Sequence, residues 1–228
     1  MEAACHLVTI DNSRWSLRMP RRTRRLTQLV AGLVAYGVSM ALTMRATLGS
    51  TPWDVFHQGV AGRTTLSVGA VTVVVAVGVL LLWIPLRERP GIGTVTNVVV
   101  IGVTVDLALA LLPAPEALWL RVGFAAAGIV LNAVATAAYI GVGLGPGPRD
   151  GLMTGLAART GLSVRLVRTA IEVTVVLVGW SLGGVFGPVT VVYALAVGPL
   201  VQWFLPRVSV GAVSPSPSTA SSRCSDPS

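Results

Sequence analysis

A stretch of 21 residues occurs twice in this chain, and no other feature restricts its fold as strongly. Leu48 to Val68 reads LGSTPWDVFHQGVAGRTTLSV, and Leu144 to Val164 reads LGPGPRDGLMTGLAARTGLSV. At a fixed offset of 96 the two share 11 of 21 residues, among them Pro52/Pro148, Asp54/Asp150, Gly59/Gly155 and Arg63/Arg159. Matches continue without a gap at Val71/Val167, Gly91/Gly187, Thr94/Thr190, Val95/Val191 and Gly102/Gly198. Chance similarity between apolar segments would not keep Pro, Asp and Arg in register, so the chain contains a duplicated unit of about 96 residues.

Composition says where such a unit folds. With 53% hydrophobic and 11% charged residues and a mean hydropathy of +0.76, the chain has too little polar surface to cover a water-soluble globule. It reads as a membrane protein in contact with the lipid bilayer. All 17 basic residues are arginines and the net charge is +8, but they lie in the tails and between apolar runs, where they face anionic lipid rather than nucleic acid. Cys5 and Cys224 sit in opposite tails, which supports neither a structural disulfide nor a cysteine metal site.

Six apolar runs come near the roughly 20 residues that a spanning helix needs: about 26–46, 67–86, 91–112, 119–142, 164–184 and 188–205. The expected organisation is a basic cytoplasmic tail over residues 1–25, a first membrane repeat over 26–112, a second over 119–206 and a disordered Ser/Pro-rich tail over 207–228. The start MPRRTRRL at Met19 is an alternative beginning of the chain. Trp83, Trp119, Trp180 and Trp203 fall near run ends, as interfacial aromatics do. Ala31 and Ala35, with the many glycines, suit close helix packing.

With the N-terminus inside and six crossings, 14 arginines lie inside, Arg149 among them, and Arg45, Arg63 and Arg121 lie outside. That asymmetry predicts a cytoplasmic-membrane protein with both termini in the cytoplasm. Three crossings per copy, an odd number, make the second copy enter from the opposite side. The expected fold is therefore all-α and polytopic, with about six transmembrane helices as two inverted-topology three-helix repeats. Each repeat also carries a short re-entrant or interfacial helix, since residues 52–62 would make a helix of only about 16 Å.

That short helix has a start signal. Thr51 suits its N-cap, Pro52 its first position and Asp54 its third, as in a capping box, and Gly147, Pro148 and Asp150 occupy the same slots in the second copy. Ser67 and Ser163 suit the caps of the second and fifth runs. Two readings follow for the aspartates. In one, Asp54 and Asp150 only satisfy backbone N–H groups at a helix start, and the glycines of the motif, Gly59 and Gly155 included, permit tight turns. In the other, the short helices dip into the bilayer from opposite faces and bring their positive ends and carboxylates together near the midplane.

Arg165, Arg168 and Glu172 share one helix face, and Glu172 lies roughly 12 Å along the helix from Val164. A carboxylate at that depth pairs with Arg168, either as a self-neutralising ion pair or as part of a proton or solute site. The first copy has Gly69, Thr72 and Ala76 in these places, so only one half carries the trio. Asp106 is positioned to reach the headgroups and matches Gln202. His57, which matches Met153, reads as a structural histidine with no metal assigned.

The segments LGSTPWDVFHQG and LGPGPRDGLMTG, with ARTGLSVRLVRTAIEV, GWSLGG and GPVTVVYALAVGPLVQ, resemble the bacterial YczE/YyaS/YitT group, most closely the YczE-like membrane proteins. The resemblance spans about Met19 to Arg207; the first copy departs from the pattern with Ser50 and Thr51 where the second has Pro146 and Gly147. It implies an integral membrane protein, and it supplies neither a substrate nor catalytic residues.

No HExxH, nucleophile elbow or phosphate loop is present, so no enzyme, cofactor or catalytic residue is expected. The leading expectation is a small transporter or permease for an unidentified solute or ion, with Asp54, Asp150 and Arg168/Glu172 beside its pathway. The alternatives are a membrane scaffold or accessory supporting another enzyme or exporter, and the substrate-binding subunit of an importer. The small embedded mass is compatible with a homodimer or a membrane-protein partner.

Overall fold

The computed structural model describes residues 21–88 and 90–208. Arg14 and Arg18 of the N-terminal arginine collar, Met19, Arg89, both cysteines and the Ser/Pro-rich tail after Val208 lie outside the described residues, and so do the expectations placed on them.

Among the described residues every regular element is a helix: α1 (Arg21–Ala46), α2 (Pro52–Ala61), α3 (Val68–Leu86), α4 (Ile92–Leu111), α5 (Leu118–Ile140), α6 (Pro148–Thr160), α7 (Val164–Ser181) and α8 (Pro188–Val208). Shifting α2, α3 and α4 by 96 places their first residues on the first residues of α6, α7 and α8. The duplication read from side chains is thus a duplication of helix boundaries. The local causes are visible. Thr51 Oγ1 accepts from Asp54 N at 3.3 Å to start α2, and Ser67 and Ser163 accept from Ala70 N and Leu166 N to start α3 and α7.

Five helices are long and apolar enough to cross a membrane: α1, α3, α4, α5 and α8. The sixth expected span, α7, is not among them: it is 18 residues long, and Arg165, Arg168 and Glu172 put three charges into that length. Exposed residues on α3, α4 and α8 include Leu81, Leu82, Val99, Leu107 and Leu195. An apolar belt of this extent is covered by lipid rather than water, and the protein is a polytopic membrane protein.

The α1 and α5 helices form the centre and run in opposite directions. Gln28 near the start of α1 donates to Ala138 O near the end of α5 at 3.1 Å, while Arg121 near the start of α5 donates to Ala46 O at 2.9 Å. Gln28 also reaches Val208 O at the end of α8, and Arg45 reaches Leu109 O near the end of α4. One end of the bundle therefore gathers the starts of α3, α5 and α8 with the ends of α1 and α4. Gly32, Gly37 and Gly128 allow the centre to close: a Cβ on Gly128 would stand 3.1 Å from Ser39 O. Ala31, expected at such a contact, is exposed instead.

The two copies embrace. Val189 N donates to Leu48 O and Gly93 N to Leu144 O, both at 3.1 Å, so each copy's loop docks on the last helix of the other. Gly49 (φ 114) and Gly145 (φ 121) turn the chain there in a conformation that a side chain would strain. The short helices cross over too, α2 packing on α7 and α6 on α3. One relation fails to repeat: α3 lies along α4, whereas α7 has no comparable packing against α8.

That difference explains Asp106. Its carboxylate accepts from Ser67 Oγ at 2.5 Å and Gly69 N at 2.7 Å, so it clamps α3 to α4 rather than reaching headgroups. Gln202, in the equivalent place on α8, is exposed and makes no such clamp. Trp83 is likewise no interfacial anchor: it is 1% exposed and packs against Trp53 and Val79. Trp119, Trp180 and Trp203 are exposed, as expected.

Candidate functional site

The first turns of α2 and α6 meet inside the bundle. Gly147 begins α6 with no side-chain cap, and the Trp83 indole donates to Pro148 O at 3.0 Å, fixing where the helix enters. Arg149, the next residue, places its guanidinium carbon 4.9 Å from the centre of the Trp53 ring in α2. Arg149 is thus turned inward and does not belong with the peripheral arginines among which the sequence reading placed it. Two N-terminal helix ends, each carrying partial positive charge, converge on this junction.

Two cavities of about 60 Å³ each flank it, several times the roughly 10–15 Å³ that one water requires. Tyr36, Trp53, Arg149 and Asp150 line both. The first extends toward His57, Thr72, Asn97, Tyr139 and Pro148. The second extends toward Thr51, Pro52, Met153, Arg168, Glu172 and Tyr193.

Asp150 Oδ2 accepts the Tyr139 hydroxyl at 2.7 Å, a bond between a short helix and the central α5. Arg168 Nε donates to Glu172 Oε1 at 2.8 Å, the pairing that their spacing on α7 suggests. Their side chains are 48% and 21% exposed, which puts the pair at the rim of the second cavity rather than sealed in the core. Tyr193 donates to Asn132 Oδ1 at 2.7 Å, and Asn132 donates to Ser39 at 2.9 Å, a polar chain across α8, α5 and α1.

Asp54 behaves differently from its counterpart. It is fully buried, and neither carboxylate oxygen has a hydrogen-bond partner among the described residues. The capping box is therefore only half made: Thr51 serves the Asp54 N–H, while the Asp54 side chain does not return the contact. His57, one turn along, is fully buried too, with Nδ1 3.7 Å from Asp54 Oδ1 and 3.2 Å from Thr72 Oγ1. Among the described residues no three His, Cys, Asp or Glu side chains come together as a metal site would require.

Of the residues singled out by sequence, Pro52, Pro148, Asp150, Arg168 and Glu172 come together around the cavities, and Asp54 lies buried beside them. Gly59 and Gly155 serve packing. A Cβ on Gly59 would strike Gly179 O on α7 and Leu182 just after it, and one on Gly155 would stand 3.1 Å from Glu88 Cγ beyond the end of α3. Arg165 is exposed and lines neither cavity. Sequence reasoning passed over Tyr36, Trp53, Asn97, Asn132, Tyr139 and Tyr193 as site residues. A signal for four of them existed: at the offset of 96, Tyr36 matches Asn132 and Asn97 matches Tyr193, polar groups recurring at equivalent depths of apolar helices.

Known proteins resemble this chain along most of its length. An "Uncharacterized protein" of Haemophilus influenzae is 40% identical over 182 residues, covering 80% of this chain and 84% of that one. The "Uncharacterized membrane protein YczE" of Bacillus subtilis is 35% identical over 188 residues, covering 80% and 86%. No solved structure matches. A family model described as "Family of unknown function (DUF6198)" matches residues 23–206, which take in all eight helices nearly end to end, and the chain belongs to that family.

Proposed function

We propose that this protein is a small-solute or ion-coupled permease of the bacterial cytoplasmic membrane rather than an enzyme, built as two inverted-topology repeats with both termini in the cytoplasm. One observation carries the reading. The N-terminal ends of α2 and α6, one from each copy, meet inside an apolar bundle beside cavities that hold Arg149, Asp150 and the Arg168/Glu172 pair. Charged groups in such a place are costly, and helix ends aimed at a central cavity are how broken-helix transporters hold charged solutes and ions. The unequal seams add support. The α3–α4 seam is clamped by Asp106 and the α7–α8 seam is loose, as expected of a protein whose halves open in turn.

The test is electrical. Purified protein in liposomes is exposed to concentration jumps of defined mixtures of amino acids, organic anions and organic cations, and charge movement is recorded. At least one mixture gives a response that Asp150→Asn abolishes while the protein level holds, because Asn keeps an acceptor for Tyr139 and removes the charge. Absence of any response with folded protein would count against transport.

A second reading, a membrane scaffold or accessory, is favoured by the outer face of α7, where Arg165 and Thr169 stand exposed on a helix that α8 does not cover. Under it, a membrane partner co-purifies in stoichiometric amount, and Arg165→Leu releases that partner.

A further inference from the structure

We infer that Asp54 and His57 form a proton-binding pair inside the first half of the molecule, with the proton taken up on His57 Nε2. This deepens the permease reading, on which its role in coupling rests, by naming the coupling ion.

The hydrogen-bond pattern fixes which nitrogen is open. Thr72 Oγ1 donates its hydrogen to Val68 O at 2.9 Å, so toward His57 it acts as an acceptor, and Nδ1 carries a hydrogen that points at it across 3.2 Å. A neutral imidazole protonated on Nδ1 leaves a lone pair on Nε2. That atom is buried and has no partner among the described residues, and His57 is among the residues lining the first cavity. Proton uptake there makes one N–H bond, breaks none, and converts the ring to imidazolium. Asp54 supplies the reason for uptake. With the ring neutral, a carboxylate at Asp54 is a buried negative charge whose oxygens have no hydrogen-bond partner among the described residues, a state far costlier than an ion pair. One proton on the ring, 3.7 Å away at its near nitrogen, turns that charge into a zwitterion.

The surrounding charges do not already provide this compensation. Helix α3, which packs on the pair, has no ionisable side chain between Val68 and Leu86. From α7, Arg168 is engaged by Glu172; from α6, Asp150 is engaged by Tyr139 of α5. Tyr36 of α1 and Tyr193 of α8 are uncharged neighbours of the same junction. Arg149 remains, stacked on Trp53, with no ion pair among the described residues. Its positive charge works against a cation on His57, which the Asp54 carboxylate favours. Two oxygens, a hydroxyl and an imidazole also fit a proton better than a hard metal cation, which requires a cage of oxygens.

The second copy has abandoned this arrangement. Met153 stands for His57 and Arg168 for Thr72, so a permanent cation shares the second cavity with Asp150 while the titratable ring is missing. The halves have divided their work between a proton and fixed charge.

The chain has two histidines, His6 and His57, which makes the test direct. Full-length His6→Gln protein with ¹⁵N-labelled histidine, in lipid nanodiscs, is titrated by NMR between about pH 4 and pH 9. The expected result is a neutral ring protonated on Nδ1 at the alkaline end and Nε2 protonation on acidification. Asp54→Asn lowers the midpoint by roughly one pH unit or more, because the carboxylate no longer favours the cation. Thr72→Val, a milder change, displaces the Nδ1 resonance and leaves the ring titrating. A ring that never gains a proton on Nε2, or a midpoint indifferent to Asp54→Asn, overturns the pair. Replacing potassium chloride by sodium chloride at fixed pH leaves the signals in place; a sodium-dependent shift assigns the site to a metal cation and overturns the proton. The permease reading fails separately. A titrating ring in a protein without charge movement leaves the proton pair standing, and charge movement with a silent ring removes the pair and leaves the permease.

Discussion

Three carboxylates on this chain, Asp54, Asp106 and Asp150, follow an apolar or helix-start pattern in sequence, and their surroundings give them three different chemistries. Asp106 ties two N-terminal donors of α3 to α4, Asp150 takes a tyrosine hydroxyl, and Asp54 takes nothing. Asp106→Ala leaves the Gly69 N–H unsatisfied and removes the clamp, and should cost about 1–2 kcal/mol. A lowered thermal midpoint in detergent, with Asp106→Asn less affected, checks this; an unchanged midpoint sinks the clamp. Trp83→Phe removes the donor to Pro148 O and part of a fully buried ring, so it should cost at least about 1 kcal/mol. An unchanged midpoint for Trp83→Phe would show that the indole N–H contributes nothing separable. The start signal Thr51, Pro52 was legible as a cap because capping is local. The failure of Asp54 to complete it was not legible, because whether a carboxylate turns back to its own N-cap or into the core depends on neighbours far along the chain.

At the scale of elements, the short helices are held by backbone contact. Gly179 and Gly59 meet where α2 crosses α7, and a Cβ on Gly179 would stand 2.5 Å from Phe56 N. Gly59→Leu or Gly179→Leu should separate the helices and cost at least about 2 kcal/mol. Gly78 on α3 has open space around it, so Gly78→Ala should be neutral or gain a few tenths of a kcal/mol from helix propensity. Equal loss of thermal stability at Gly59 and Gly78 would show that the crossing is not tight. The number and boundaries of the helices were readable, since apolar period, caps and proline breaks act within a few residues. Which helix receives α2 was not, because Gly59 shows only that some backbone comes close. The expectation for Trp83 failed for the same reason: an aromatic near a run end marks an interface unless another helix covers it, and α6 does.

At the scale of the molecule, the proposed inverted arrangement has a direct consequence at the ends of the bundle. Thr64 and Thr160 occupy equivalent, exposed positions after α2 and at the end of α6, separated by the offset of 96. In protein with Cys5 and Cys224 replaced by Ser, Thr64→Cys should react with an impermeant thiol reagent from outside intact cells, and Thr160→Cys only after lysis. Labelling of both from one side would refute the opposite entry of the two copies. The arginine count is compatible with the proposed orientation even after Arg149 is withdrawn from it, because Arg45, Arg63 and Arg121 all act at the end of the bundle that holds the starts of α3 and α5.

The chain by itself determined that there are two copies, that both belong in a bilayer, and where their helices begin and end. Each of these follows from residue type and spacing over short range. Only the tertiary structure decided that Arg149 turns inward, that Asp54 is left without a partner while Asp150 has one, and that one seam is clamped and the other loose. Those outcomes depend on residues about a hundred positions apart being brought within a few ångströms, and no local pattern in the sequence records which pairs will meet.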